Sequence, residues 1–222
     1  MTGNISESIL SSTHTGKAGI EAEMKKYHLN PAKATLNADG TVDYDGNVPL
    51  QAKNLTKLPF RFRTVTGSFY CYGNELTTLD GCPDTVSCNF DCSSNRLTSL
   101  KGGPKQVDGH FLCYNNSLTT LEGTPDIIHG VFNCSRNKLV SLEGGPSRVG
   151  AIFNCSDNKL VSLESGPEHV GGSYDCSNNQ LTSLEGLPKK LSLKLYCYGN
   201  PGQFTKEDVL AVCKIQKTNI HL

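Results

Sequence analysis

Over most of the chain, apolar and polar positions alternate for a few residues, stop at an asparagine, return as two leucines three apart, and begin again. In Val86, Cys88, Phe90 and Cys92 the apolar members are separated by Ser87, Asn89, Asp91 and Ser93, the two-residue period of a strand with one face inside. One strand is therefore predicted in each cycle. The cycle length is fixed by Cys71, Cys92, Cys113, Cys134, Cys155, Cys176 and Cys197, each 21 residues from the next. Asn74, Asn95, Asn116, Asn137, Asn158, Asn179 and Asn200 keep the same step, as do the leucine rows starting at Leu76 and Leu79 and the proline row starting at Pro83. The consensus is VxGxFxCxxNxLxSLEGxP, an internal repeat.

Stacking seven such strands in parallel at about 4.8 Å gives a sheet roughly 30 Å across, each repeat burying its apolar face only against its neighbours. The asparagine after each strand sits where the chain turns, and its amide can satisfy backbone groups that would otherwise be buried unpaired. Gly and Pro set the return with little room for a full helix. The small positions Gly67, Cys88, Gly109, Gly130, Ala151 and Gly172 are expected to face inward.

The repeat resembles the leucine-rich repeat in its short bacterial form, over roughly residues 48 to 203. It departs from the common pattern in placing Val86, Val107, Ile128, Val149 and Val170 one residue earlier than the usual first leucine. Phe and Cys also take the next two apolar positions. Repeats of this type are similar to those of proteins in tailed bacteriophages and some bacteria, and less closely to those of secreted bacterial effectors. The resemblance implies an α/β repeat fold, a leucine-rich-repeat solenoid with a parallel concave β-sheet.

A solenoid exposes its core at both ends, so the flanks are expected to close it. Residues 1–16, rich in Ser and Thr, read as a flexible start, and residues 17–47 as an N-terminal cap of helix plus hairpin. In that cap Ile20, Met24 and Tyr27 share a helical face over 17–28, and Asp39 and Gly40 form the hairpin turn. Residues 204–222 read as a C-terminal helical cap. Thr205 and Asp208 form an N-cap pair there, and a helix over about 206–216 lays Val209, Val212 and Cys213 on the last repeat.

Charge narrows the choice of partner. Lys plus Arg and Asp plus Glu are 21 each, so no net basic field exists to hold nucleic acid or an anionic membrane. No apolar run reaches membrane-spanning length, and the start lacks the pattern of a secretory signal. Ten cysteines in such a chain point to reduced thiols in a cytosol.

Candidate chemistry is sparse. The aligned cysteines form a row rather than converging on a point, so packing is the expected role and no metal or cofactor is expected. Cys82, in a turn, is the remaining reactive candidate. Thr15, Gly16 and Lys17 resemble the end of a phosphate loop, but Ser11 stands where its first glycine belongs and Ala18 replaces the hydroxyl residue. Asp39, Asp43 and Asp45 lack the closing Glu of a calcium loop. No His spacing suggests a metal, and Glu122, Glu143, Glu164 and Glu185 read as a solvated ladder. No catalytic residue is assigned.

The outward strand positions vary, and there a binding surface is expected. One row runs Ser68, Asn89, His110, Val131, Ile152, Ser173 and Lys194. The next runs Tyr70, Asp91, Leu112, Asn133, Asn154, Asp175 and Tyr196, followed by Tyr72, Ser93, Tyr114, Ser135, Ser156, Ser177 and Tyr198. Leu112, Val131 and Ile152 present aliphatics beside Tyr114, and grouped exposed apolar residues mark interfaces. The expected partner site is Tyr70, Tyr72, His110, Leu112, Tyr114, Val131, Ile152, Tyr196 and Tyr198. The alternatives are tolerated surface apolars or cover by a second copy. The expected function is non-enzymatic binding of a protein, and by the bacteriophage likeness a host protein, such as a defence component, that is inhibited or redirected. A secreted effector scaffold and an enzyme hidden in the caps are the other classes.

Overall fold

A computed structural model describes residues 17–222; the expected flexible segment 1–16 and most of the phosphate-loop resemblance lie outside the described residues. The chain is a parallel β-solenoid of 21-residue turns. Its largest sheet has nine strands, from Val48–Pro49 through Phe69–Tyr70, Phe90–Asp91 and so on to Leu195–Tyr196 and finally Ile220–His221. Register is constant: Phe69 pairs with Phe90, Phe90 with Phe111, Phe111 with Phe132, and so on to Tyr174, Leu195 and Ile220.

The turns up to Tyr174 each contain two short strands where one is predicted, and the next has a single bridge at Leu191 in place of its first strand. Val65, Val86 and Val107 belong to a five-stranded sheet, and Ile128, Val149 and Val170 to a three-stranded one. The alternation from Val86 to Cys92 is therefore broken at residues 87–89, where the chain bends from one sheet to the other. The expected inward row is also corrected at this bend. Cys88 is exposed, and the row is small for another reason. A Cβ on Gly109 would come within 2.7 Å of the Cys88 carbonyl oxygen, and one on Gly130 equally close to that of Gly109, so successive turns approach backbone to backbone.

The interior is built from columns. Nine rings run in sequence from Tyr27 through Phe60, Phe62, Phe69, Phe90, Phe111, Phe132 and Phe153 to Tyr174, with neighbouring centroids 4.9–6.0 Å apart. Beside them the seven-cysteine column is buried, as are both leucine columns. Residues after each strand take positive φ at Ala52, Gly73, Ser94, Asn115, Arg136, Asp157, Asn178 and Gly199, a left-handed step that turns the chain once per cycle.

The asparagine column closes the corner that follows. Asn137 Nδ2 donates to the carbonyls of Cys113, Cys134 and Ser135, and its Oδ1 accepts from Leu118 N–H at 3.0 Å. Asn95, Asn116, Asn158, Asn179 and Asn200 repeat this pattern.

At the N-terminal end α1 (Lys17–Lys26) buries Met24 in the core, with Ile20 and Tyr27 packed partly against it. Strands β1 (Ala34–Leu36) and β2 (Val42–Tyr44) form an antiparallel hairpin, and Asp39 accepts from Thr41 N–H within its turn. At the other end α2 (Lys206–Val212) starts at Thr205, whose hydroxyl accepts from Asp208 N–H while Asp208 accepts from Thr205 N–H. The helix is shorter than expected. Val209 and Cys213 are buried but Val212 is exposed, because the chain leaves the helix at Cys213 and returns as the last strand of the nine-stranded sheet.

Candidate functional site

The second strand residue of each turn points out of the nine-stranded sheet and forms a row: Tyr70, Asp91, Leu112, Asn133, Asn154, Asp175, Tyr196 and His221. Two local chemistries alternate along it. Asp91, Asn133, Asn154 and Asp175 each accept a hydrogen bond from the backbone N–H two residues on, always that of a serine. Where the row instead carries Tyr70, Leu112 or Tyr196, the residue two on is Tyr72, Tyr114 or Tyr198. These turns exchange a polar lock for an apolar pair. Tyr70 and Tyr72 meet edge to face, and Tyr196 stacks on His221 at 4.7 Å.

The row at the bend shows a similar exchange. Asn47 Oδ1 accepts from Ser68 N–H, Ser68 Oγ from Asn89 N–H, Asn89 Oδ1 from His110 N–H, and His110 Nδ1 from Val131 N–H. Ser173 Oγ resumes the series by accepting from Lys194 N–H. Between them, Val131 and Ile152 carry no acceptor, and the ladder stops for two turns. This second polar ladder is invisible to an apolar periodicity. Its sequence signal is the set of short acceptors Asn47, Ser68, Asn89 and Ser173 in 21-residue register.

All nine expected site residues lie on the outer side of the nine-stranded sheet or at its bend. They do not form one patch. His110, Leu112, Tyr114, Val131 and Ile152 occupy three consecutive turns, with Ile152 41% exposed, whereas Tyr70 and Tyr72 lie towards one end and Tyr196 and Tyr198 towards the other. His110 is in addition a ladder acceptor, so part of its role is structural.

The chemistry of the remaining candidates is quiet. Burial pushes the thiols of Cys92, Cys113, Cys155 and Cys176 well up, and that of Cys197 to about 11. Cys82 is buried near Cys71 and Cys92, and burial raises its thiol too, which removes the thiolate a reactive cysteine needs. Asp43 is held by Arg63 and Thr64, which keeps its carboxyl at about 2, and Asp45 accepts from Thr66. Among the described residues no helix is long and apolar enough to cross a membrane. Neither the models of known protein families nor the curated proteins contain a match to this chain.

Proposed function

We propose that this is a leucine-rich-repeat protein that acts by binding rather than catalysis, presenting the outer face of its nine-stranded sheet to a protein partner. The repeat reading draws support from the asparagine that follows each strand and bonds across turns. The binding reading rests on one observation: at Val131 and Ile152 the chain forgoes a hydrogen-bond acceptor that five other turns use, and places aliphatics at the surface instead. An exposed backbone N–H can bond water, so the exchange costs stability modestly. It creates a contiguous apolar group with Leu112 and Tyr114, the kind of anchor that carries interface energy. The partner in this reading is a host protein, bound and blocked or redirected in the cytosol, where a column of packed thiols stays reduced.

The test uses two double variants. Val131→Asn with Ile152→Asn restores an acceptor at both positions, and should keep the fold while abolishing capture of a directly bound protein. Glu143→Lys with Glu164→Lys, on exposed turns away from the sheet, should leave capture unchanged. Binding that survives the first pair and is lost with the second defeats the proposal.

A further inference from the structure

The two smaller sheets carry a charge pattern that the apolar face does not explain. Their equivalent positions recur at 21-residue steps: Thr85 pairs with Gln106 in the five-stranded sheet, and Ile127 with Arg148 and Arg148 with His169 in the three-stranded one. The bridge between Val170 and Leu191 sets Lys190 beside His169, and Lys190 itself bridges to Lys214. Arg148, His169, Lys190 and Lys214 therefore stand side by side on four neighbouring segments, two strands followed by two single bridges, and all four are exposed. Strand spacing of about 4.8 Å makes this row about 14 Å long.

Charge is segregated along these turns. The five-stranded sheet is neutral or self-compensated, with Thr85 and Gln106 in the row, Arg63 bridging Asp43, and Lys105 bridging Asp84 at 2.7 Å. In the later turns Arg148, Lys190 and Lys214 have no ion-pair partner within 4.0 Å among the described residues. Glu168 and Asp126 flank the row on one side, where Lys189 offsets one of them. Arg148, His169 and Lys190 border a groove of about 310 Å³ floored by Val149, Gly150, Val170 and Gly171, and Lys214 lies beyond it. Neither glycine can be replaced by a larger residue: a Cβ on Gly150 would meet the His129 carbonyl oxygen at 2.0 Å, and one on Gly171 that of Gly150 at 2.1 Å. The groove is thus bare backbone edged by cations.

We infer that this row is a docking site for an extended acidic segment of a protein, lying along the solenoid axis with carboxylates four residues apart over the two ends of the row. The end-to-end lengths match: residues i to i+4 of an extended chain span about 13.6 Å, against about 14 Å from Arg148 to Lys214. The chain's overall neutrality and the flanking Glu168 and Asp126 favour a short acidic peptide over a long nucleic acid, whose phosphates would meet those carboxylates. The site is independent of Leu112, Val131 and Ile152, so it can fail or hold without the proposed function.

The experiment is fluorescence anisotropy of a labelled peptide of alternating Glu and Ser, titrated with the full chain at low and at high salt. Saturable binding at low salt that weakens at high salt is expected, and Arg148→Glu with Lys190→Glu should reduce affinity by about tenfold or more. Lys138→Glu with Lys159→Glu changes net charge equally at exposed positions elsewhere, and should shift affinity by about twofold at most. No saturable binding at low salt, or equal loss in both double variants, overturns the site. Tighter binding of a single-stranded oligonucleotide of the same charge overturns the acidic-peptide assignment.

Discussion

Asn137 ties three carbonyls and one N–H from two neighbouring turns with a single amide, all of them buried. Its replacement by Ala strands those groups, at a cost of about 1–3 kcal/mol in urea unfolding. Asn200 makes similar bonds at a half-exposed corner where water can substitute, so Asn200→Ala should cost less. Tyr174 presents the opposite case. It ends the ring column with its hydroxyl buried beside the Cys155 thiol, a weak partner, and makes no hydrogen bond of normal geometry. Tyr174→Phe removes an orphaned polar atom and continues the phenylalanine column, so the melting temperature should rise; a clear fall would show that the hydroxyl is bonded. Asp91 adds a dependence on pH. Burial raises its carboxyl above the ordinary range despite two hydrogen bonds from Ser93. An acid whose folded pKa exceeds its unfolded one loses stability as pH rises from the unfolded value through the folded one, and that penalty is fully present above the folded value. Asn133 and Asn154 perform the same bond without charge. Asp91→Asn should therefore stabilise the protein near neutrality, with the gain shrinking as pH falls through the raised folded value and gone below about pH 4, where the unfolded Asp is itself protonated.

Between the two sheets, the bend at residues 87–89 and its equivalents decides which side chains meet solvent. Val131→Asn alone should raise the melting temperature by giving Ile152 N–H an acceptor, as Asn89 does for His110. A fall would mean that Val131 contributes more by packing than the lost acceptor does. The core columns were legible in the sequence because Phe, Cys and the two leucines recur at a fixed step and a one-residue slip would expose them all. The second strand was not. Val86 and Phe90 are four apart, an even spacing that a single continuous strand also produces, so alternation alone hides the bend between them. Cys88 shows the consequence: periodicity places it inside, whereas the close approach of neighbouring backbones at the bend turns it outward. The candidate site was legible as a set of outward positions. Its division into separate groups and its dependence on broken polar ladders are set by hydrogen bonds between turns, which no single repeat displays.

Across the described chain, Cys88 is the one exposed cysteine of ten. A small thiol reagent should label the native protein rapidly at a single site, lost in Cys88→Ser, with the other nine released only on unfolding. Rapid labelling of Cys113, Cys134 or Cys155 would mean that the columns open locally. Contacts pass only from each turn to the next, and every column, ladder and left-handed step recurs at 21 residues, so the molecule has no privileged length. Copying residues 134–154 in place would hand each flanking turn a neighbour with the same Phe, Cys, Asn and Leu it already has. The chain would then act as a ruler lengthened by one division, with a second copy of Ile152 about 4.8 Å beyond the first and everything from Cys155 onward displaced by the same amount. Adding a single residue instead would throw every later column out of line. Reach can thus be altered in whole steps by duplication at almost no structural risk, whereas the spacing within a step is held fixed.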